Sequence, residues 1–285
     1  MTDDQKGYGM ALLSFDESKC RRDGICVAVC PARLIQIKDD SPIPAMVEGG
    51  DLRCSRCGHC VAVCPYGAAS HFSIKPEECP PVRSDLALSS GQVEYLLRSR
   101  RSIRVYQQRE VEHDKLQKVI DIARYAPTGA NLQRLTWVVV NSPTRVREIA
   151  AATIDLARSI IDKDQPSVLA GRESALVDGW NAGRDPVARN APALVIACAP
   201  PGDIVVSIEA AIALSFLDLA APSLGLGTCW GGHLMRAIPH WPPLHKALGL
   251  ADGNRFCAVM MIGYPDYAYH RLPPRNEPMI SWYEG

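Results

Sequence analysis

Seven cysteines in the first quarter of the chain carry a spacing that suits iron. Cys54-x2-Cys57-x2-Cys60-x3-Cys64-Pro65 is the thiolate run of a [4Fe–4S] cluster. Upstream stands a near copy, Cys20-x2-Asp23-x2-Cys26-x3-Cys30-Pro31, with an aspartate in the second ligand position. Soft thiolates match a sulfide-bridged iron core, and the short spacing turns three of them toward one face of it. Such clusters move electrons one at a time. Paired cysteines also bind zinc, but this run is not the paired-knuckle spacing of zinc ribbons.

In two-cluster ferredoxins the last Cys of each run serves the other cluster. Applied here, Cys54, Cys57, Cys60 and Cys30 hold one [4Fe–4S] cluster. Cys20, Cys26 and Cys64, with or without Asp23, hold the second. Asp23 has three readings. It ligates iron through a carboxylate oxygen and keeps a [4Fe–4S] cube with a labile corner. It stands aside and leaves a [3Fe–4S] cluster or an open corner. Or its half holds no cluster. Exchanging thiolate for carboxylate alters cluster charge and hydrogen bonding, which set reduction potential.

These cysteines need a scaffold. The chain has 285 residues and a formal net charge of zero. That length suits two domains, and neutrality argues against nucleic acid or an anionic membrane as partner. The most apolar stretch, about 204–226, is broken by Glu209, Asp218 and Pro222. It reads as a buried helix and not a membrane span. Residues 1–13 carry Asp3, Asp4 and Lys6 and do not read as a secretory signal, so a reducing cytoplasm is expected. The expected organisation is an iron–sulfur domain over 1–75, a turn-rich linker over 76–91 and a domain of α+β or α/β architecture over 92–285. Leu116, Val119, Ile120 and Ala123 recur at helical spacing before Pro127. Residues 137–140, 193–199 and 256–262 read as short strands. Cys79, Cys198, Cys229 and Cys257 read as small buried residues.

Three clusters in the second domain suit a phosphate-bearing cofactor. Arg100-Arg101-Ser102-Ile103-Arg104 offers guanidinium forks and a hydroxyl to a phosphate. Its plainer reading is a solvated basic face. Ala126-Pro127-Thr128-Gly129-Ala130-Asn131-Leu132-Gln133 places two carboxamides beyond a helix end, where they suit the edge of a pyrimidine-like ring. Its plainer reading is an Asx-type turn. Gly225-Leu-Gly-Thr-Cys-Trp-Gly-Gly232 reads as a turn whose backbone can approach a ligand. It is no dinucleotide fingerprint, since no strand is expected before it and the third glycine is missing.

Taken together and in order, these segments and the terminal Ile-Gly-Tyr-Pro resemble the nitroreductase family of FMN-dependent oxidoreductases. The whole chain resembles members fused to an N-terminal two-cluster ferredoxin domain. The resemblance implies an α+β sandwich, an intimate homodimer and FMN at the subunit interface. It implies that Arg100, Arg101, Ser102 and Arg104 hold the phosphate and ribityl chain. Thr128, Gly129, Asn131 and Gln133 would lie along the flavin. Trp230, Gly231 and Gly232 would line one flavin face, and Arg275, or else Arg271, would return a cation to the phosphate. Gln133-Arg134-Leu135 departs from the usual Gln-Pro-Trp and leaves Arg134 as an extra anion contact. His233 faces substrate or is satisfied in the core or at the surface. The stretch 155–190, with Trp180, Asn181 and Arg184, would cover the pocket.

The implied enzyme takes electrons from an external donor, a ferredoxin, a flavodoxin or a reduced nicotinamide system. It delivers hydride from flavin N5 to a nitroaromatic, quinone or activated alkene. Reductive dehalogenation or dehydrogenation on the same fold is an alternative. So is an electron-transfer module that relays through FMN to a protein partner.

Overall fold

The computed structural model describes residues 11–201, 205–250 and 255–284. Asp3, Asp4 and Lys6, on which the expected absence of a signal rests, lie outside these residues, as does residue 204. The chain divides into two compact units: residues 1–87 with 130–132, and residues 88–129 with 133–285.

The first unit repeats itself. Strand β1 (Leu13–Phe15) leads to the cysteine loop and to helix α1 (Ile25–Ala28). The short β2 (Ile35–Gln36) and β3 (Ala45–Met46) pair with each other. The second loop leads to α2 (His59–Ala62) and β4 (Ala69–His71), which pairs antiparallel with β1. The two halves match in backbone conformation. Arg22 and Arg56 have φ of 53° and 51°, and Gly24 and Gly58 both have φ of 73°. The paired left-handed residues wrap each loop and start each helix. Glycine takes that conformation without the ~1–2 kcal/mol that a Cβ costs. Among the described residues, Leu13, Cys26 and Ile35 form the buried centre of this unit's cluster. So small a core needs another staple, and bound metal is one.

The second unit is built on a sheet of order β5-β6-β8-β7, all antiparallel: β5 (Thr136–Val140), β6 (Ala193–Ala199), β7 (Gly227–Trp230) and β8 (Arg255–Gly263). Every residue of β6 is buried, as a central strand covered on both faces requires. Leu194, Ile196, Val259 and Met261 pack against α5 (Pro143–Asp162) and α8 (Gly232–Ala237). The alternate residues Val195, Ala197, Met260 and Ile262 pack with Leu116 and Val119 of α4 (His113–Ala123) and Leu214 and Leu217 of α7 (Val205–Ala220). Each large side chain so buried contributes about 1.5–3 kcal/mol of transfer free energy.

The three strand expectations and the helix before Pro127 match the structure to within a residue or two. The expected buried helix over 204–226 is α7. Residues 205–224 are long and apolar enough to cross a membrane by composition. One face of the helix nevertheless packs on α4 and β8 and buries Glu209 and Asp218. Two expectations are corrected. The glycine-rich segment read as a turn contains β7, which borders β8. Cys198 and Cys229 are buried, but Cys79 and Cys257 are only half-buried.

Tyr264, in the terminal Gly-Tyr-Pro, serves the fold. Its hydroxyl donates to Glu112 and accepts from Lys115 Nζ at 2.7 Å, and the Arg109 guanidinium lies 3.8 Å from its ring centre. The hydrogen bond from Tyr264 is the chief cause that holds the Glu112 carboxyl down at about 2. A carboxylate lowered on folding stabilises the fold above its unfolded value, about 4.5, and that stabilisation is lost as pH falls toward 2. Glu112→Gln should therefore lower the melting temperature at pH 6–7, and the gap from wild type should close below pH 4. Melting curves across pH check this; a gap independent of pH would contradict it.

Candidate functional site

In the first unit the cysteines expected as ligands group across the two halves. One cavity is lined by Cys54, Cys57 and Cys60 of the second loop, by Cys30 of the first, and by His71. Another is lined by Cys20, Asp23 and Cys26 of the first loop and Cys64 of the second. Among the described residues no group of three His, Cys, Asp or Glu side chains is arranged to hold a single metal ion. The cysteines ring a void of a kind that suits a polynuclear cluster. Backbone N–H groups address the crossing thiols symmetrically. Leu34 N donates to Cys30 Sγ and Ala68 N to Cys64 Sγ, both at 3.3 Å. Burial pushes the Cys60 thiol up to about 11 and raises Cys26 as well, so metal loading must displace protons.

Asp23 Oδ1 accepts from Ile25 N at 3.1 Å. The aspartate thus caps the turn that Cys57 occupies in the other half. His71 is 2% exposed. Its Nδ1 accepts from Ser73 N at 3.1 Å, and burial, then the Arg56 and Lys75 charges, lower its basicity.

In the second unit the Arg100–Arg104 segment runs beside edge strand β7. Ser102 bridges Thr228, and Ile103 N donates to Thr228 O at 2.8 Å. Ile103 buries in the core, which sends the arginines to two cavities. Arg100 and Arg101 line one of about 460 Å³, with Asp218, Tyr267 and Tyr269. Arg100 pairs at 3.3 Å with Asp218, which also accepts from Thr228 Oγ1. Burial raises the Asp218 carboxyl, and Thr228 and Arg100 oppose that rise. Arg101 donates to Arg100 O at 2.7 Å, while its buried Nε has no partner among the described residues.

Arg104 lines the other cavity, about 360 Å³, with Trp230, Gly232, His233, Arg172, Arg189 and Arg236. Among the described residues no carboxylate lines it. His233 Nδ1 is buried and unpartnered among the described residues. Burial, then Arg189, Arg172 and Arg236, lower the basicity of His233. A cavity of this size, with four guanidinium groups, a neutral imidazole and an indole, fits an anionic aromatic ligand.

Gly227 permits this arrangement. A Cβ there would lie 2.3 Å from Ile103 Cγ1 and 2.9 Å from Pro265 Cγ. Gly227→Ala should displace the arginine segment and destabilise the fold by about 1–3 kcal/mol. A melting curve checks this; an unchanged melting temperature would contradict it.

Other expected site residues fall elsewhere. Gly129 N donates to the buried Glu209 at 2.7 Å, and Gln133 N to Thr128 Oγ1 at 3.1 Å. Ala130, Asn131 and Gln133 take left-handed φ of 48°, 55° and 48°. Each costs about 1–3 kcal/mol, and such strain gathers at functional loops. Residues 130–132 group with the first unit, where Asn131 Nδ2 donates to the carbonyls of Ser55 and Arg56. Arg271 and Arg275 lie in an exposed extended tail and line neither cavity. From the stretch 155–190, Leu169, Ala170, Arg172, Val187 and Arg189 reach the second cavity. Trp180 instead stacks under Arg147 at 4.6 Å, and Asn181 accepts from Arg158 at 3.0 Å.

Residues 97–264 match the model of the nitroreductase family, and residues 9–68 that of the 4Fe-4S dicluster domain. The chain belongs to the nitroreductase family. It is an oxidoreductase of that family with a dicluster domain at its N-terminal side. A relative in Caenorhabditis elegans, named iodotyrosine dehalogenase 1 homolog, is 29% identical over 203 residues. The match covers 66% of this chain and 60% of that protein's length. A nitroreductase of Bacteroides fragilis solved with bound FMN is 20% identical, with a TM-score of 0.55 over 68% of this chain and 99% of that one. Another, from Desulfitobacterium hafniense and also with bound FMN, is 20% identical, with a TM-score of 0.54 over 69% and 100%. These two structures bear on the fold of the nitroreductase unit.

Proposed function

We propose that this chain is an iron–sulfur flavoprotein whose two clusters feed single electrons to FMN for reduction of a small electrophile. Cys30, Cys54, Cys57 and Cys60 hold one [4Fe–4S] cluster. Cys20, Cys26 and Cys64 hold the other, with the second oxygen of Asp23 toward its remaining corner. The cross-over grouping of these side chains carries the reading.

FMN, when bound, supplies the change from one-electron delivery to hydride transfer onto a nitroaromatic, quinone or activated alkene. Arg104 binds and orients its phosphate and ribityl chain in the second cavity, and Arg101 and Ser102, with Arg100 braced by Asp218 at the neighbouring cavity, carry the same cationic segment toward it. Arg275, or Arg271, in a tail that lines neither cavity of its own subunit, adds a cation from across the dimer interface. Trp230, Gly231 and Gly232 flank the ring and exclude water. Thr128, Gly129, Asn131 and Gln133 form the strained loop along its edge. The arginine field favours negative charge in the site, and His233 stays neutral beside it. Exposed apolar side chains on α7, Ile208 and Phe216, and in the tail, Met279 and Trp282, support a homodimer. Eleven cysteines outside any disulfide suit a reducing compartment.

One observation favours a second reading, reductive dehalogenation: the likeness to the protein named iodotyrosine dehalogenase 1 homolog. The test is anaerobic. Reduced protein is mixed with a nitroaromatic, a quinone or a halogenated phenol, and the flavin absorbance is followed. Substrate-dependent reoxidation supports an enzyme, and the substrate that works selects the reading. No reoxidation without a partner protein would overturn it in favour of a relay.

A further inference from the structure

His71 ends β4, and both of its backbone groups are committed to the turn that follows. His71 N donates to Ile74 O at 3.0 Å, and Ile74 N returns to His71 O at 3.1 Å. The ring is then fixed by a donor that cannot rotate. Ser73 N donates to Nδ1 at 3.1 Å, with Ser73 Oγ 3.0 Å from the same atom. A nitrogen that accepts a backbone N–H holds a lone pair, so the ring proton sits on Nε2. Nε2 is fully buried and has no partner among the described residues. A buried N–H without an acceptor is costly and is rare in folded proteins. His71 also lines the cavity ringed by Cys30, Cys54, Cys57 and Cys60.

We infer that His71 is a positioning residue for electron transfer, whose Nε2–H donates to a sulfur of the cluster in this cavity and raises that cluster's reduction potential. The inference rests on the proposed assignment of those four cysteines to a [4Fe–4S] cluster. Reduction adds negative charge to the sulfurs, and a hydrogen bond to them favours the reduced state. The other half offers no counterpart. The residue 34 positions earlier, Ile37, has no side-chain donor, and no histidine lines the cavity of Cys20, Asp23, Cys26 and Cys64. The asymmetry between the two clusters then has two sources: Asp23 in one, His71 at the other.

The test uses the full chain, anaerobically loaded, in wild type, His71→Phe and His71→Gln. Iron is counted, and each cluster is titrated by EPR-monitored reduction. His71→Phe should make one cluster about tenfold harder to reduce at a fixed potential, equal to about 59 mV for a one-electron couple. The other cluster should not move, and His71→Gln, which keeps an N–H, should shift less. Full iron with an unchanged midpoint in His71→Phe overturns the inference. If His71→Phe loses iron, pulsed ENDOR on 15N-histidine-labelled wild type decides, with His59→Ala labelled alike to remove the other histidine of the cavity. A nitrogen coupling to the reduced cluster that persists in His59→Ala supports the inference, and its absence overturns it. Wild type short of one cluster's iron would instead sink the ligand assignment, and the inference with it.

Discussion

Cys30→Ser should remove the cluster of the second cysteine loop, although Cys30 lies in the first. The structure groups Cys30 with Cys54, Cys57 and Cys60 and groups Cys64 with Cys20, Asp23 and Cys26. Iron should fall by about four per chain in Cys30→Ser. The surviving EPR signal should be that of the aspartate-bearing site. Cys64→Ser should do the reverse and leave the four-cysteine cluster. Serine differs from cysteine by one atom, so the backbone donors at Leu34 and Ala68 keep an acceptor and the loops keep their turns. A third variant, Asp23→Cys, should change only the signal that Cys64→Ser abolishes. Loss of each loop's own cluster in its own serine variant would contradict the crossed arrangement.

Arg104→Ala should weaken FMN binding by about tenfold to a hundredfold. Arg104 is the arginine of the RRSIR segment that lines the cavity with Trp230, Gly232 and His233. Among the described residues its hydrogen bond is a long one, 3.5 Å, to Ser102 O. Its charge is therefore available to an anion. A charge-assisted hydrogen bond contributes about 1.5–3 kcal/mol, which is the fold-change stated. Arg98→Ala is the control, since Arg98 pairs with Glu94 on the surface at 2.6 Å. Fluorescence titration of apoprotein with FMN measures both. Equal affinity in wild type and Arg104→Ala would contradict the placement of the cofactor.

The grouping of the cysteines could be read from the chain because their spacing is local. A loop of fixed length presents its cysteines in one way, and the left-handed Arg22–Gly24 and Arg56–Gly58 turns do so twice. The sheet was readable where burial on both faces imposed an unbroken apolar run, as in β6. It was misread at β7, because an edge strand that opens on a glycine and is flanked by others looks like a turn. Gly227 is there because Ile103 packs against it, a contact made by a segment more than a hundred residues away. Glu209 and Asp218 had been read only as breaks in an apolar stretch. Buried acids need partners, and these have them: one receives Gly129 N–H, the other Arg100 and Thr228. Arg172, Arg189 and Arg236 reach one cavity from separate segments, which no spacing rule detects. His71 was missed for the same reason. A lone histidine carries no pattern, and its meaning comes from the turn at Ser73 and the cavity beyond it.

The account depends on two clusters and one flavin in a single chain. Anaerobic purification followed by iron and flavin counts, with EPR of the reduced protein, tests it most directly. The account predicts brown protein with seven or eight irons and one FMN per chain, and EPR signals from two inequivalent clusters. Colourless protein without FMN, or fewer than about six irons in undamaged protein, would contradict it.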